Sequence, residues 1–188
     1  MRPAVFVASV VLLLATPAFA SDDESSTQQT AIRPFVGAFL PTGKQKDDLK
    51  SSILTGVQVG YPFASSARLV GTFAWAPSKA TTLSDAKTNV YQYDVGAELA
   101  GQVGSGVKLL PFVGVGVGAR TYSLENSTTN SQTDVDGFAS LGGELTATKL
   151  GARIEARDYV SRFKGVDGLQ DTSTRNDVML TGALTFHL

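Results

Sequence analysis

The chain has no cysteine. That removes disulfides and thiolate metal sites, and with them the acylated cysteine that a lipoprotein anchor requires. An excess of either charge is also missing. Sixteen Lys and Arg stand against 17 Asp and Glu, a formal net charge of −1, so there is no basic surplus to draw nucleic acid and no block of like charge. Beyond the first 20 residues no run reaches the roughly 18 continuous apolar residues of a membrane helix. Histidine is nearly absent too: His187 is the one copy, near the end of the chain. A serine or cysteine hydrolase needs a base beside its nucleophile. His187 is expected to be structural filler, so no catalytic residue, cofactor or metal site is assigned and the chain is not expected to be an enzyme.

What is present begins with an export signal. Arg2, an apolar run over 4–15, Pro17 and Ala18-Phe19-Ala20 before Ser21 read as a cleaved signal peptide over residues 1–20. Residues 21–30 (SDDESSTQQT) hold no large apolar side chain and are expected to form a disordered periplasmic lead-in. Residues 31–188 read as one domain. Its apolar residues are dispersed, although the whole chain is 43% hydrophobic and holds 19 glycines.

The dispersal is regular. In the closing stretch NDVMLTGALTFHL, the residues Val178, Leu180, Gly182, Leu184, Phe186 and Leu188 share one face. Asp177, Met179, Thr181, Ala183, Thr185 and His187 share the other. A period of two over a dozen residues is a strand with unlike faces, and a tilted strand of roughly 9–11 residues crosses a bilayer. Seven more such stretches precede it: 31–40, 52–62, 67–76, 90–101, 109–122, 137–147 and 150–160, with the last at 177–188. Long polar connections (41–51, 77–89, 123–136, 161–176) alternate with short ones, the pattern of an all-β, eight-stranded antiparallel up-and-down transmembrane β-barrel. Acids on the long connections, among them Asp47, Asp134, Asp136 and Asp167, are expected to be solvated. The tetrapeptide PFVG occurs at 34–37 and again at 111–114, four strands apart.

Alternation also assigns the sides. Tyr91, Tyr93, Val95, Phe73 and Trp75 lie on the apolar faces, and facing water they would make a patch far above what a soluble monomer tolerates. The apolar faces are therefore expected to meet lipid. The polar faces then carry Arg33, Arg68, Arg120, Arg153 and Arg157 against Asp94, Glu98, Glu144, Glu155 and Asp177, five of each sign. Eight strands leave a lumen just wide enough for side chains, where an unpaired charge costs several kcal/mol. An ionic ladder of Arg120, Arg153 and Arg157 with Glu98, Glu144 and Glu155 is expected, with Gly114, Gly116 and Gly118 making room for arginines from opposite strands. Tyr61 and Phe186 at one end, and Trp75, Tyr91 and Tyr93 at the other, are expected to form interfacial belts.

The signal peptide, the eight amphipathic strands, PFVGVGVGARTY, ARIEARDYVSRF and the closing LTGALTFHL together resemble the small outer-membrane β-barrel domain family, the eight-stranded barrels of the OmpA and OmpX kind. The resemblance implies a bacterial outer-membrane location and a structural or surface-interaction role. It implies contact with outer-membrane lipid and lipopolysaccharide, and monomeric assembly. It also implies an assembly signal at Leu184, Phe186 and Leu188, read by the outer-membrane assembly machinery. The rival readings are a narrow pore for small solutes or ions and a membrane-embedded lipid-modifying enzyme.

Overall fold

The computed structural model describes residues 29–42, 49–80, 86–104, 106–124, 131–147, 149–163 and 173–188. The expected signal peptide, most of the lead-in, and Asp47 and Asp167 lie outside the described residues. Eight strands follow one another: β1 (Ala31–Pro41), β2 (Ser52–Ala64), β3 (Ala67–Ala80), β4 (Ala86–Ala100), β5 (Lys108–Leu124), β6 (Ser131–Ala147), β7 (Leu150–Phe163) and β8 (Ser173–His187). Each pairs antiparallel with the next. β8 also pairs with β1, so the sheet closes into a barrel as expected from the alternation. Closure matters because a strand edge left in hydrocarbon would expose unpaired N–H and C=O groups.

Three connections and both described chain ends lie at one end of the barrel. The Leu188 N–H donates to the Thr30 carbonyl there at 2.9 Å. At this terminal end the turn at 65–66 is tight, and Gly104, between β4 and β5, takes a φ of +94°. A Cβ at Gly104 would lie 2.9 Å from the Val107 carbonyl oxygen, so both backbone and space require glycine. The four longer connections gather at the other end, here called the loop end.

At the loop end the strands run further than the apolar pattern. β3 continues to Ala80 rather than 76, β4 begins at Ala86 rather than 90, and β6 begins at Ser131 rather than 137. The reason is physical. Apolar alternation reports the lipid, whereas the hydrogen-bonded ladder needs only extended backbone. Thr- and Ser-rich segments sustain it in water, and the Thr121 and Thr133 hydroxyls face each other across β5 and β6 at 2.9 Å.

The repeated PFVG recurs in three dimensions. Phe35 pairs with Gly56 of β2, and Phe112 pairs with Gly142 of β6. In each case the ring fills the space that a Cβ on the glycine would need.

Candidate functional site

The candidate site is the lumen, together with the two rims that bound it. Pleating sends every second side chain inward. Arg33, Arg68 and Arg120 are 0% exposed, while Ile154 and Leu184 on the outer wall are 72% and 60% exposed. A wall this apolar suits lipid and not water.

In the terminal half of the lumen, charges meet in a dense cluster. The Arg33 Nε lies 3.2 Å from Glu144, and the His187 Nε2 approaches the other Glu144 oxygen at 3.0 Å. Arg153 lies 3.6 Å from Glu144, pairs with Glu98, and lies 3.1 Å from Glu155. Arg68 closes on Glu98 at 2.8 Å. Gln58 bridges this cluster: its carbonyl oxygen accepts from Arg33 and its amide donates to Glu155, both at 3.2 Å. Arg157 extends the network toward the loop end, with Nε 2.5 Å from Glu155 and NH1 2.8 Å from Asp94. The Tyr159 hydroxyl donates to Asp94 at 2.6 Å.

The Gln92 amide donates to Asp94 and, at 2.9 Å, to Asp136, while its oxygen accepts from Arg120. Arg120 pairs with Asp177 and lies 4.0 Å from Asp136. Its guanidinium stands 5.3 Å from the Phe39 ring centroid and 4.9 Å from that of Tyr159. The loop half also holds the apolar cluster: Phe39, Leu49, Leu54, Ala76, Val90 and Tyr122 are buried together. Leu49 comes from the connection before β2 and reaches into the mouth. One continuous chain of polar contacts therefore runs from His187 to Asp177. A luminal cavity between Arg33, Gln58, Arg153 and Met179 measures about 20 Å³, room for one water.

Two expectations need correcting. Arg153 reaches all three glutamates of the expected ladder and Arg157 reaches Glu155, but Arg120 pairs with aspartates. It sits at the loop end of β5, beyond the glutamates and level with Asp177 of β8. The room made by Gly114, Gly116 and Gly118 does not go to arginines from the opposite wall. A Cβ at each position would meet the side chain paired with it on β6: Ser140 at 2.6 Å, Phe138 at 2.5 Å and Asp136 at 2.7 Å. The arginines benefit one layer further in. Arg157 stacks 4.6 Å above the Phe138 ring that lies on Gly116, and Arg153 stacks 3.4 Å above the Phe112 ring that lies on Gly142.

Asp134 and Asp136, assigned from sequence to a solvated connection, are buried on β6 and face inward. Among the described residues the buried acids are thus Asp94, Glu98, Asp134, Asp136, Glu144, Glu155 and Asp177, seven against five arginines. Gln58, Gln92 and Tyr159 also belong to the network. Their signal was the same inward phase as the arginines, which counting charges alone passes over.

The aromatics lie on the outer wall. Trp75 pairs with Tyr91 and Phe73 with Tyr93 toward the loop end, with Trp75 Nε1 donating to Asn89 at 3.0 Å. Tyr61 and Phe186 lie toward the terminal end, and Leu184, Phe186 and Leu188 all point outward from the last strand.

A family model described as outer membrane protein beta-barrel domain matches residues 6–180. A comparison with curated proteins finds no match. Among solved structures, Neisserial surface protein A is similar with a TM-score of 0.63 at 11% identity, covering 87% of this chain and 98% of that one. The outer membrane protein OprG from Pseudomonas aeruginosa is similar with a TM-score of 0.58 at 16% identity, covering 85% and 96%. At these identities the likeness is one of fold.

Proposed function

This chain belongs to the outer membrane protein β-barrel domain family and resides in the bacterial outer membrane, and from that premise we propose that it is a non-conducting, non-catalytic barrel presenting its long connections at the cell surface. One observation supports this reading above the others. Among the described residues, interlocked side chains run along the lumen from His187 to Asp177, around a cavity of about 20 Å³ at mid-height. A solute path would require Arg33, Arg153 and Arg157 to abandon buried carboxylates, and leaving such charges unpaired is expensive. His187 is held by Glu144 inside the terminal end, at the opposite end of the barrel from the long connections. Function then falls to the connections and the outer wall. In this reading the loop end faces outward, the barrel is a monomer, and its partners are outer-membrane lipid, lipopolysaccharide and the assembly machinery that reads Leu184, Phe186 and Leu188.

Planar-bilayer recording tests the reading. The wild type is expected to give no conductance steps; regular steps would replace it with the narrow pore. Exchanging each long connection for a two-residue turn should abolish surface attachment while the barrel keeps its heat-dependent gel migration.

A further inference from the structure

The outer wall carries one charge that the packed lumen does not account for. Asp158 of β7 has the phase of Ala156 and Val160, so its carboxylate leaves the barrel on the lipid-facing side, where it is exposed. Among the described side chains on the outward faces of β5, β6 and β7 it is the one charged group. Among the described residues its carboxylate has no hydrogen-bond or ion-pair partner.

This acid does not stand above the lipid. Across the sheet it pairs with Ala139 of β6 and Val178 of β8. The apolar wall continues past it toward the loop end through Val160 and, on β6, through Val135, both exposed. One outward step along a tilted strand is about 7 Å of path and roughly 5 Å of height. Asp158 therefore lies inside the apolar band, near its loop-end margin, where an ionisable group is costly and calls for a partner.

It also stands in a hollow. Its small outward neighbours are Gly137 and Ala139 on β6 and Ala156 on β7, and the larger Leu141, Ile154 and Val160 rise around them. A Cβ at Gly137 would meet only the Gly116 carbonyl oxygen, at 3.8 Å, so the barrel itself does not demand glycine there. Outward aromatics, the usual interfacial anchors, come from β2, β3, β4 and β8. The outward faces of β5, β6 and β7 hold none among the described residues.

We propose that Asp158 and this hollow form a binding site for the primary-ammonium headgroup of a lipid in the leaflet at the loop end. The carboxylate requires a cation. The ridges of Leu141, Ile154 and Val160 hold off a flat protein face, whereas a slim headgroup passes between them. A second copy docking symmetrically through the same wall would set Asp158 against its own counterpart, acid against acid. A primary ammonium brings three N–H donors, as lysine does; a quaternary ammonium brings none and is bulkier. The site lies on the outer wall and is independent of whether the lumen conducts.

Phosphatidylethanolamine and phosphatidylcholine separate these cases, because they share the phosphate and differ in the ammonium. A barrel with Val160→Trp and Trp75→Phe carries its single tryptophan at the rim of the hollow. It is reconstituted in phosphatidylcholine vesicles and titrated with either lipid brominated on its chains, and quenching is read. The ethanolamine lipid should be preferred by about five-fold. Asp158→Asn in the same background should remove the preference while keeping the heat-dependent gel shift of a folded barrel. Leu180→Trp with Trp75→Phe, placed opposite Ala156 on β8, should report the same preference and guards against an effect of the Val160 substitution. Wild-type Trp75, on the β3 wall, should be quenched equally by the two lipids. Equal quenching at both reporters overturns the site, as does a preference that survives Asp158→Asn or one that is as large at Trp75.

Discussion

The two halves of the lumen solve the same problem with different chemistry. In the terminal half, long charged side chains fill the tube, and Glu144 alone is approached by Arg33, Arg153 and His187. In the loop half, Phe39, Leu49, Leu54 and Tyr122 surround one polar group, Arg120 with Gln92, Asp136 and Asp177, and the guanidinium stacks between two rings. The difference follows from what closes each end. Short turns cannot fold back over the terminal opening, so strand side chains must span it. At the loop end a connection is long enough to bend inward and seat Leu49, anchored by the Lys50–Lys79 and Ser78–Lys50 hydrogen bonds. Charge in the first half is stabilising only as a complete set, since each member is dry and depends on its partners. Apolar side chains in the second half can be truncated one at a time.

That contrast can be tested by removing one member from each half. The largest effect is expected for Glu144→Ala, which strands Arg33, Arg153 and His187 together. It should destabilise the barrel by about 3–5 kcal/mol in denaturant titrations of the liposome-inserted protein. A loss below about 1 kcal/mol would mean that water already screens this cluster. Leu54→Ala, in the apolar half, should cost about 2–3 kcal/mol by the same titration, near the low end for buried leucine because the site lies close to a mouth that can collapse. Tyr159→Phe probes the seam between the halves. It removes the donor to Asp94 and keeps the ring against Arg120 and Phe138, so about 1.5 kcal/mol should be lost, with no change in circular dichroism. The smallest effect belongs outside the lumen. Thr121→Ala breaks a hydroxyl pair on the exposed lip and should stay within about 0.5 kcal/mol. A larger loss there would show that the lip, and not the lumen, holds the barrel closed.

Alternation alone was enough to place the strands and to say which way Arg68, Asp94, Glu98, Arg120, Glu144, Arg153, Glu155 and Arg157 point. A period of two is a local property of extended backbone, and lipid on one side enforces it residue by residue. The outward phase of Trp75, Tyr91 and Phe186 was legible for the same reason. Pairing was not legible. That Arg120 meets Asp177 and not a glutamate depends on how far each strand is slid against its neighbours and on how β8 meets β1. Those are relations between residues 57 positions apart, and no local pattern encodes them. The inward turn of Asp134 and Asp136 was hidden because the apolar signal stops where the lipid stops, although the ladder continues.

Sequence by itself determined a closed, two-faced sheet with charge inside, because each side chain's preference for lipid or its exclusion from it is settled one residue at a time. Only the tertiary structure decided which carboxylate each arginine holds and which glycine each ring covers. Those outcomes depend on register around a closed ring, where every strand's position is set jointly by all the others.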